Sequence, residues 1–219
     1  MVDIKLTREQ EDYFISIYEL QESFGISRLT LLAKIMKYST GAVNDEINRF
    51  EKMGLVKKIP YRGIVLSEKG MIIASNVVKK HRIAEAFLYN FLNVPWEKCH
   101  VLSSDFEHAI NGQLEKFILK KLKNLNTCPH GNPFSIKEQK DEIRLIDADL
   151  KVTYKVQRIT FEELNILTKF KTFGIKPNEN IKLIEKNSEG AIVLTRKGRF
   201  ILDNNDLLVI RVKECKINC

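Results

Sequence analysis

The stretch Leu55-Val-Lys-Lys-Ile-Pro-Tyr-Arg-Gly-Ile-Val-Leu66 decides how the first third of the chain is read. Its two ends, 55–59 and 64–66, are short strands, and Pro60-Tyr61-Arg62-Gly63 between them is a hairpin turn. Upstream the apolar period lengthens from two residues to three or four. Thr7 followed by Gln10 or Glu11 marks a helix start. Tyr13, Phe14, Ile17, Tyr18 and Leu20 then form one apolar stripe, which ends at Phe24-Gly25. A second helix covers about 28–37, and Tyr38-Ser39-Thr40-Gly41 is a turn with Ser39 or Thr40 as N-cap. A third helix runs to about Met53 with Gly54 as its C-cap; Val43, Ile47 and Phe50 line one face, and Asn44, Asn48 and Arg49 the other. Helix, helix, turn, helix and basic hairpin is the order of a winged helix-turn-helix.

Charge follows the same division. Residues 26–62 hold eight basic side chains (Arg28, Lys34, Lys37, Arg49, Lys52, Lys57, Lys58, Arg62) against three acidic ones, whereas residues 1–25 hold two against six. This local excess, within a chain of net charge +8, suits a polyanionic partner. Ser39, Thr40, Asn44 and Arg49 are placed to reach DNA, with Arg28, Lys57 and Arg62 as further basic contacts to phosphates. A winged helix used for protein contacts is the alternative.

Beyond the hairpin, Ser67-Glu-Lys-Gly70 opens a long helix to about Leu92. Residues 94–99 break it, and another helix covers about 101–122. Residues 124–142 lose periodicity around Cys128-Pro-His-Gly-Asn-Pro133 and end in a charged linker at 137–142. From Lys151 the pattern turns to β, with runs at 151–159, 181–185, 191–195 and 207–212 and one helix near 161–173, as in a small β-barrel. The composition, 44% hydrophobic and 29% charged, is that of a globular protein. No apolar run approaches the roughly 18 residues of a membrane span, and Met1-Val-Asp-Ile-Lys5 leads into a polar helix with no apolar signal core. A cytoplasmic setting is expected, in which the four cysteines stay thiols or ligands.

All four histidines lie between 81 and 130, each with a carboxylate or cysteine at ligand spacing: His81-x3-Glu85, His100-x6-Glu107-His108 and Cys128-Pro-His130. Helical residues four apart share a face, which aligns His81 with Glu85 and His100 with Ser104 and His108. Two facing helices so equipped can close around a cation, and mixed nitrogen, oxygen and sulfur donors suit a transition metal. Solvated helix faces are the plain alternative for any single pair. Cys128 beside His130 could also be a nucleophile pair, but no Gly-x-Ser-x-Gly, His-Glu-x-x-His or Walker-type loop supports an enzyme. Cys215 and Cys219 are read as incidental.

With this order of elements, Ile17-Tyr-Glu-Leu20, Lys80-His-Arg-Ile-Ala-Glu85, Phe106-Glu-His108 and Cys128-Pro-His-Gly-Asn-Pro133 make the chain resemble the diphtheria toxin repressor family of iron- and manganese-dependent regulators. The resemblance spans nearly the whole chain. It implies a mainly α fold with a small β part: a winged helix-turn-helix DNA-binding domain over 1–74, a helical dimerisation and metal-binding domain over 75–142, and an SH3-like β-barrel over 151–214. It implies a homodimer on a double-stranded DNA operator, without membrane, small-molecule substrate or enzymatic activity. One implied metal site draws on Asp12, His81, Glu107 and His108, with Ser104 where the family carries cysteine or glutamate. The other draws on Glu85, Cys128, His130 and Glu163, and His100 matches a ligand of an ancillary site. Asp12 stands where manganese-responsive members have aspartate and iron-responsive members methionine. Gly41 and Asp45 replace a proline and a glutamine of the family's recognition helix, so the operator sequence does not carry over.

The implied cofactor is Mn(II) or Fe(II), for which Zn(II), Co(II) or Ni(II) can substitute. The implied function is metal-dependent transcriptional repression of metal-homeostasis genes, with the ion bridging Asp12 to the dimer core. Two other readings stay open. One is a metal-independent winged-helix regulator with a vestigial site. The other is a metal-dependent hydrolase with a nucleic-acid-binding domain, for which no general base is singled out.

Overall fold

The structure, a computed structural model, describes residues 6–136 and 141–215. The expected chain start, most of the charged linker at 137–142 and Cys219 lie outside the described residues.

The N-terminal unit forms as its caps and periods dictate. Helix α1 (Arg8–Phe24) opens on a capping box between Thr7 and Gln10 and ends at Gly25, whose φ of 78° is left-handed. Helix α2 (Leu29–Met36) leads to α3 (Thr40–Lys52), where the Ser39 hydroxyl accepts from the Ala42 N–H at 3.2 Å. Strands β1 (Val56–Ile59) and β2 (Gly63–Leu66) pair antiparallel, Val56 opposite Leu66 and Ile59 opposite Gly63. Phe14, Ile17, Leu20, Leu32, Val43, Ile47 and Phe50 are fully buried between them, with the Phe14 and Phe50 rings 5.1 Å apart. Each such side chain contributes about 1.5–3 kcal/mol of burial, which outweighs the weak intrinsic helicity of so short a segment as α2.

Helix α4 (Glu68–Leu92) starts on the Ser67 cap and runs unbroken through residue 74, where the first domain boundary is expected. It packs against α1, α5 (Cys99–Phe106) and α6 (Gly112–Leu122). The single helix expected over 101–122 is thus two. A 3-10 turn at Glu107–Ala109 separates them, and the Asn111 side chain caps α6 by accepting from the Gln113 and Leu114 N–H groups at 3.1 and 3.0 Å. An asparagine that bonds backbone N–H groups two and three residues on favours a fresh helix start over continuation. The resulting corner holds Glu107 and His108.

The C-terminal part is a six-stranded antiparallel sheet of β3 (Ile143–Arg144), β4 (Thr153–Ile159), β5 (Asn180–Lys186), β6 (Gly190–Thr195), β7 (Gly198–Asp203) and β8 (Ile210–Glu214), in the order β3-β8-β4-β5-β6-β7. The expected barrel is not closed: among the described residues β3 and β7 are edges and do not pair. The run read as a strand over 207–212 begins as helix α8 (Asn204–Val209), because Asp203 and Asp206 form a capping box; β8 starts only at Ile210. Helix α7 (Leu164–Phe173) follows β4.

This sheet docks on α1. Ser23 and Thr160 share a hydroxyl hydrogen bond of 2.9 Å, Arg211 Nη2 donates to the Glu22 carbonyl at 2.7 Å, and the Phe24 and Phe161 rings meet edge-on at 5.4 Å. The register shift between Val156 and Arg158 lets Arg158 and Ile159 both turn inward. The Cys128–Pro133 loop lies against this bulge. Gly131 has a φ of 89°, and a Cβ there would stand 2.1 Å from the Gln157 carbonyl oxygen. Gly131→Ala is therefore expected to cost about 1–3 kcal/mol, read as a lower urea midpoint. An unchanged midpoint would mean that the loop is not pressed against β4.

Candidate metal centre

Among the described residues, three groups of metal-capable donors lie where α1, α4, the 107–109 corner and the Cys128 loop meet; within each group the donor atoms lie within 4.8 Å of one another. The first is Asp12, Glu107 and His108. His108 Nε2 is 3.2 Å from Asp12 Oδ1, and its Nδ1 is 2.8 Å from Glu11 Oε2. The second is Glu19, His81 and His100. His81 Nε2 is 2.9 Å from His100 Nδ1, while His81 Nδ1 contacts Glu107 of the first group. The third is Glu85, Cys128, His130 and Glu162, all buried. Cys128 Sγ is 3.9 Å from His130 Nδ1, and Glu162 Oε2 is 2.5 Å from the same nitrogen. His130 Nε2 lies 2.9 Å from the Trp96 carbonyl, an acceptor only. That nitrogen must carry a proton, so Nδ1, turned toward the thiol and carboxylates, is the nitrogen that would ligate a cation once its own proton leaves.

Within these groups four buried carboxylate oxygens accept no hydrogen bond: both of Glu85, Oε1 of Glu107 and Oε2 of Glu162. A buried, unsatisfied charged acceptor costs more than the roughly 1–3 kcal/mol of a neutral one. Carboxylates, imidazoles and one thiol around such oxygens fit a divalent cation of the first transition row.

The electrostatics agree. Burial, with the Glu107 charge added, raises the Asp12 carboxyl from 3.8 to about 6. Burial likewise raises Glu19 to about 7, against the pull of His100. Burial lowers the imidazoles, but surrounding carboxylates outweigh it: Glu107 and Glu85 hold His81 well above the ordinary value, Glu19 and its neighbours lift His100 to about 10, and Glu162 and Glu85 raise His130. Burial, reinforced by Glu85 and Glu162, raises the Cys128 thiol.

Asp12 gives the sign for stability. Between its ordinary 3.8 and about 6 the folded state holds the proton more tightly than the unfolded one, so its contribution to stability falls as pH rises through that window. A cation in the proton's place reverses the penalty. Metal uptake is therefore expected to release protons and to tighten with rising pH. Calorimetry in two buffers of different ionisation enthalpy should give different apparent enthalpies; equal values would show that no proton leaves.

The structure brings Asp12, Glu107 and His108 together. His81 stands beside them through Glu107 but groups with Glu19 and His100. Glu85, Cys128 and His130 gather too, but their fourth member is Glu162 and not Glu163, which is half-buried at the N-cap of α7. The peptide linking them turns successive side chains to different sides, so only one of the pair faces the cluster. The serine that reaches His81 is likewise Ser103, its hydroxyl 3.2 Å from Nε2, and not Ser104. Glu19 was legible only as a lone charge within the apolar face of α1.

Of the DNA-contact candidates, Arg28, Ser39, Thr40, Arg49, Lys57 and Arg62 are exposed. Asn44 is half-buried and accepts from Lys58 Nζ at 3.0 Å. Lys58 also reaches Asn48 at 2.7 Å, tying the wing to α3.

Residues 5–64 match the family described as "Iron dependent repressor, N-terminal DNA binding domain", and residues 67–135 match "Iron dependent repressor, metal binding and dimerisation domain". The chain belongs to the iron-dependent repressor family. The iron-dependent repressor IdeR of Mycobacterium tuberculosis is 28% identical over 211 residues, covering 89% of this chain and 91% of the relative. The diphtheria toxin repressor of Corynebacterium jeikeium is 31% identical over 174 residues, covering 79% and 70%. In fold the family member resembles T. acidophilum IdeR, with a TM-score of 0.87 at 24% identity over 97% of this chain and 100% of the other. The manganese regulator SloR superposes with a TM-score of 0.82 at 23% identity, covering 96% and 100%.

Proposed function

We propose that the protein is a metal-dependent transcriptional repressor whose operator binding is switched on by Mn(II) or Fe(II). One observation carries the switch: Asp12 of α1, in the DNA-binding unit, lies 3.2 Å from His108 at the corner between α5 and α6. When bound, the ion supplies positive charge that both sides of this junction share. Asp12, Glu107 and His108 are then held together, which fixes α1 and with it α3 against the helical core. The serine at this junction is Ser103, whose hydroxyl meets His81 and would be at most a weak ligand. Zn(II), Co(II) and Ni(II) fit the same donors.

The second site is Glu85, Cys128, His130 and Glu162, which ties the helical unit to the C-terminal sheet. Tyr89, Phe91, Leu92, Val101, Leu102 and Phe117 are exposed on α4, α5 and α6. They are the apolar face on which two copies pair, within the helical domain assigned to 75–142. The C-terminal sheet, 151–214, takes the SH3-like role. A dimer sets its two α3 helices at a fixed separation, to match half-sites about one turn of DNA, or a multiple of it, apart. Arg28, Ser39, Thr40, Asn44, Arg49, Lys57 and Arg62 are the contacts proposed on that DNA, together with Lys58. Repression of metal-homeostasis genes in the cytoplasm, and not catalysis, is the role this implies; among the described residues no helix is long and apolar enough to cross a membrane.

The test is binding to double-stranded DNA from upstream of its own gene, at fixed salt, with chelator and then with Mn(II), anaerobic Fe(II) or Zn(II). Stimulation by one of the metals is expected. Binding that ignores chelator would instead favour a metal-independent regulator.

A further inference from the structure

Lys58 of the wing is held to α3 at both ends. Its backbone N–H donates to Glu51 Oε1 at 3.1 Å, and its Nζ donates to Asn44 Oδ1 at 3.0 Å and to Asn48 Oδ1 at 2.7 Å. Asn44, Asn48 and Glu51 follow one another at spacings of four and three residues, so they share one face of α3. The register of the hairpin explains why a lysine meets that face. Val56 lies opposite Leu66 and Lys58 opposite Ile64. Residues paired directly across two strands share a sheet face, as do residues two apart along one strand. Val56, Ile64 and Leu66 are buried. Lys58 is therefore the charged member of an inward row, and its ammonium emerges at the edge of the core against α3.

The ammonium decides how both carboxamides stand. It carries three donors and no acceptor, so only the oxygen of each asparagine can face it. Each NH2 group is thereby turned away from Nζ. Among the described residues neither Asn44 Nδ2 nor Asn48 Nδ2 donates to another protein group.

From this geometry, and resting on the reading of α3 as the helix that meets DNA, we propose that Lys58 is a positioning residue for base preference: it presents Asn44 and Asn48 to the major groove as hydrogen-bond donors. An asparagine that grips adenine needs a donor for N7 and an acceptor for the N6 amino group, and here the acceptor is turned to Lys58. Guanine offers two acceptors, N7 and O6, on the same edge and suits a donor alone. The base pairs that Asn44 and Asn48 reach are therefore read as guanine over adenine. The third N–H of Lys58 is left for a phosphate oxygen, which adds affinity without base preference.

The experiment uses the full chain at fixed salt, with saturating Mn(II) and, in a second arm, with chelator. The operator is located by footprinting on DNA from upstream of its own gene, and each of its base pairs is then changed singly. Wild type is compared with Lys58→Met, which keeps the apolar stem without the donors, and with Lys58→Arg, which keeps donors only. Thermal melts check that both variants are folded. Wild type is expected to lose on the order of tenfold in affinity when guanine is changed to adenine at the base pairs under α3. Lys58→Met should lose most of that discrimination and keep the rest of its profile, whereas Lys58→Arg should retain it. A uniform loss of affinity over all sequences in Lys58→Met, with the guanine preference intact, would overturn the proposal and leave Lys58 a phosphate contact or a brace. A wild-type preference for adenine under α3 would overturn it as well. Sequence-specific binding that ignores chelator would overturn the metal switch but not this readout, and wild type without any sequence preference would overturn both.

Discussion

Glu22→Ala is expected to cost about 3–5 kcal/mol of stability, because it strips a buried counter-charge from two arginines at once. Glu22 leaves α1 to meet Arg82 of α4 at 3.2 Å and Arg158 of β4. The Arg82 and Arg158 side chains are 4% and 9% exposed. Arg158 would keep Glu142, but Arg82 would keep only the Pro133 carbonyl, at 2.8 Å, and the Tyr18 ring, with no carboxylate in contact among the described residues. A guanidinium buried without an anion cannot neutralise itself by losing a proton, so the loss appears as unfolding. Burial alone would raise the Glu22 pKa; Arg158 and Arg82 outweigh it and hold it below the ordinary 4.5. Its contribution is thus complete above that ordinary value and is lost as pH falls through the lowered one. Urea unfolding at pH 7 measures the effect. A change below about 1 kcal/mol, the level of an exposed ion pair, would show that the three-element junction is not buried as described.

Glu85→Gln is expected to abolish most of the stabilisation that metal confers. Binding to the folded state alone adds about 4 kcal/mol when the ion is a thousandfold above its dissociation constant, which is on the order of 10 °C in Tm for a chain of this size. Glutamine keeps the volume but removes the charge, and its amide is a poor ligand beside three imidazoles. In the metal-free protein, burial pushes the Glu85 pKa up, but His130 and His81 outweigh it and hold it well below 4.5. The variant therefore also loses stability that the carboxylate supplies above that ordinary value. Thermal melts of both proteins with Mn(II) and with chelator separate the two effects. An equal metal-induced rise in Tm would remove Glu85 from the ligand set.

Local signals carried most of the fold into view. Thr7 with Gln10, Ser39, Gly25 and the Pro60–Gly63 turn each act within four residues, and the helices and hairpin they bound are where the sequence places them. The misplaced elements had competing local signals. Residues 101–122 keep a helical period straight through the corner, and only Asn111 ahead of Gly112 marks the restart. The Asp203 and Asp206 pair reads equally as turn and as capping box, and only packing of the Leu207 and Val209 side chains decides for helix. Barrel closure depends on pairing between chain segments far apart, which no local pattern encodes.

The site was legible by type and not by partner. His81, Glu85, Glu107, His108, Cys128 and His130 share spacings that fix a helix face or a tight loop. Glu162 against Glu163 is a choice of side at the end of a strand, set by the bulge between Val156 and Arg158 upstream. Glu19 stands beside His81 and His100 only because α1 packs along α4, a tertiary fact with no signature at the residue itself.

The most direct measurement is DNA affinity and metal content of Asp12→Ala beside wild type, each in chelator and in saturating Mn(II). Wild type should bind its promoter DNA more tightly in Mn(II), by a factor of about 5–150 if coupling is of ordinary size. Asp12→Ala should still take up metal at the Cys128 group, yet bind DNA equally in Mn(II) and in chelator. Full metal stimulation in Asp12→Ala would contradict the tie between α1 and the core on which the switch depends.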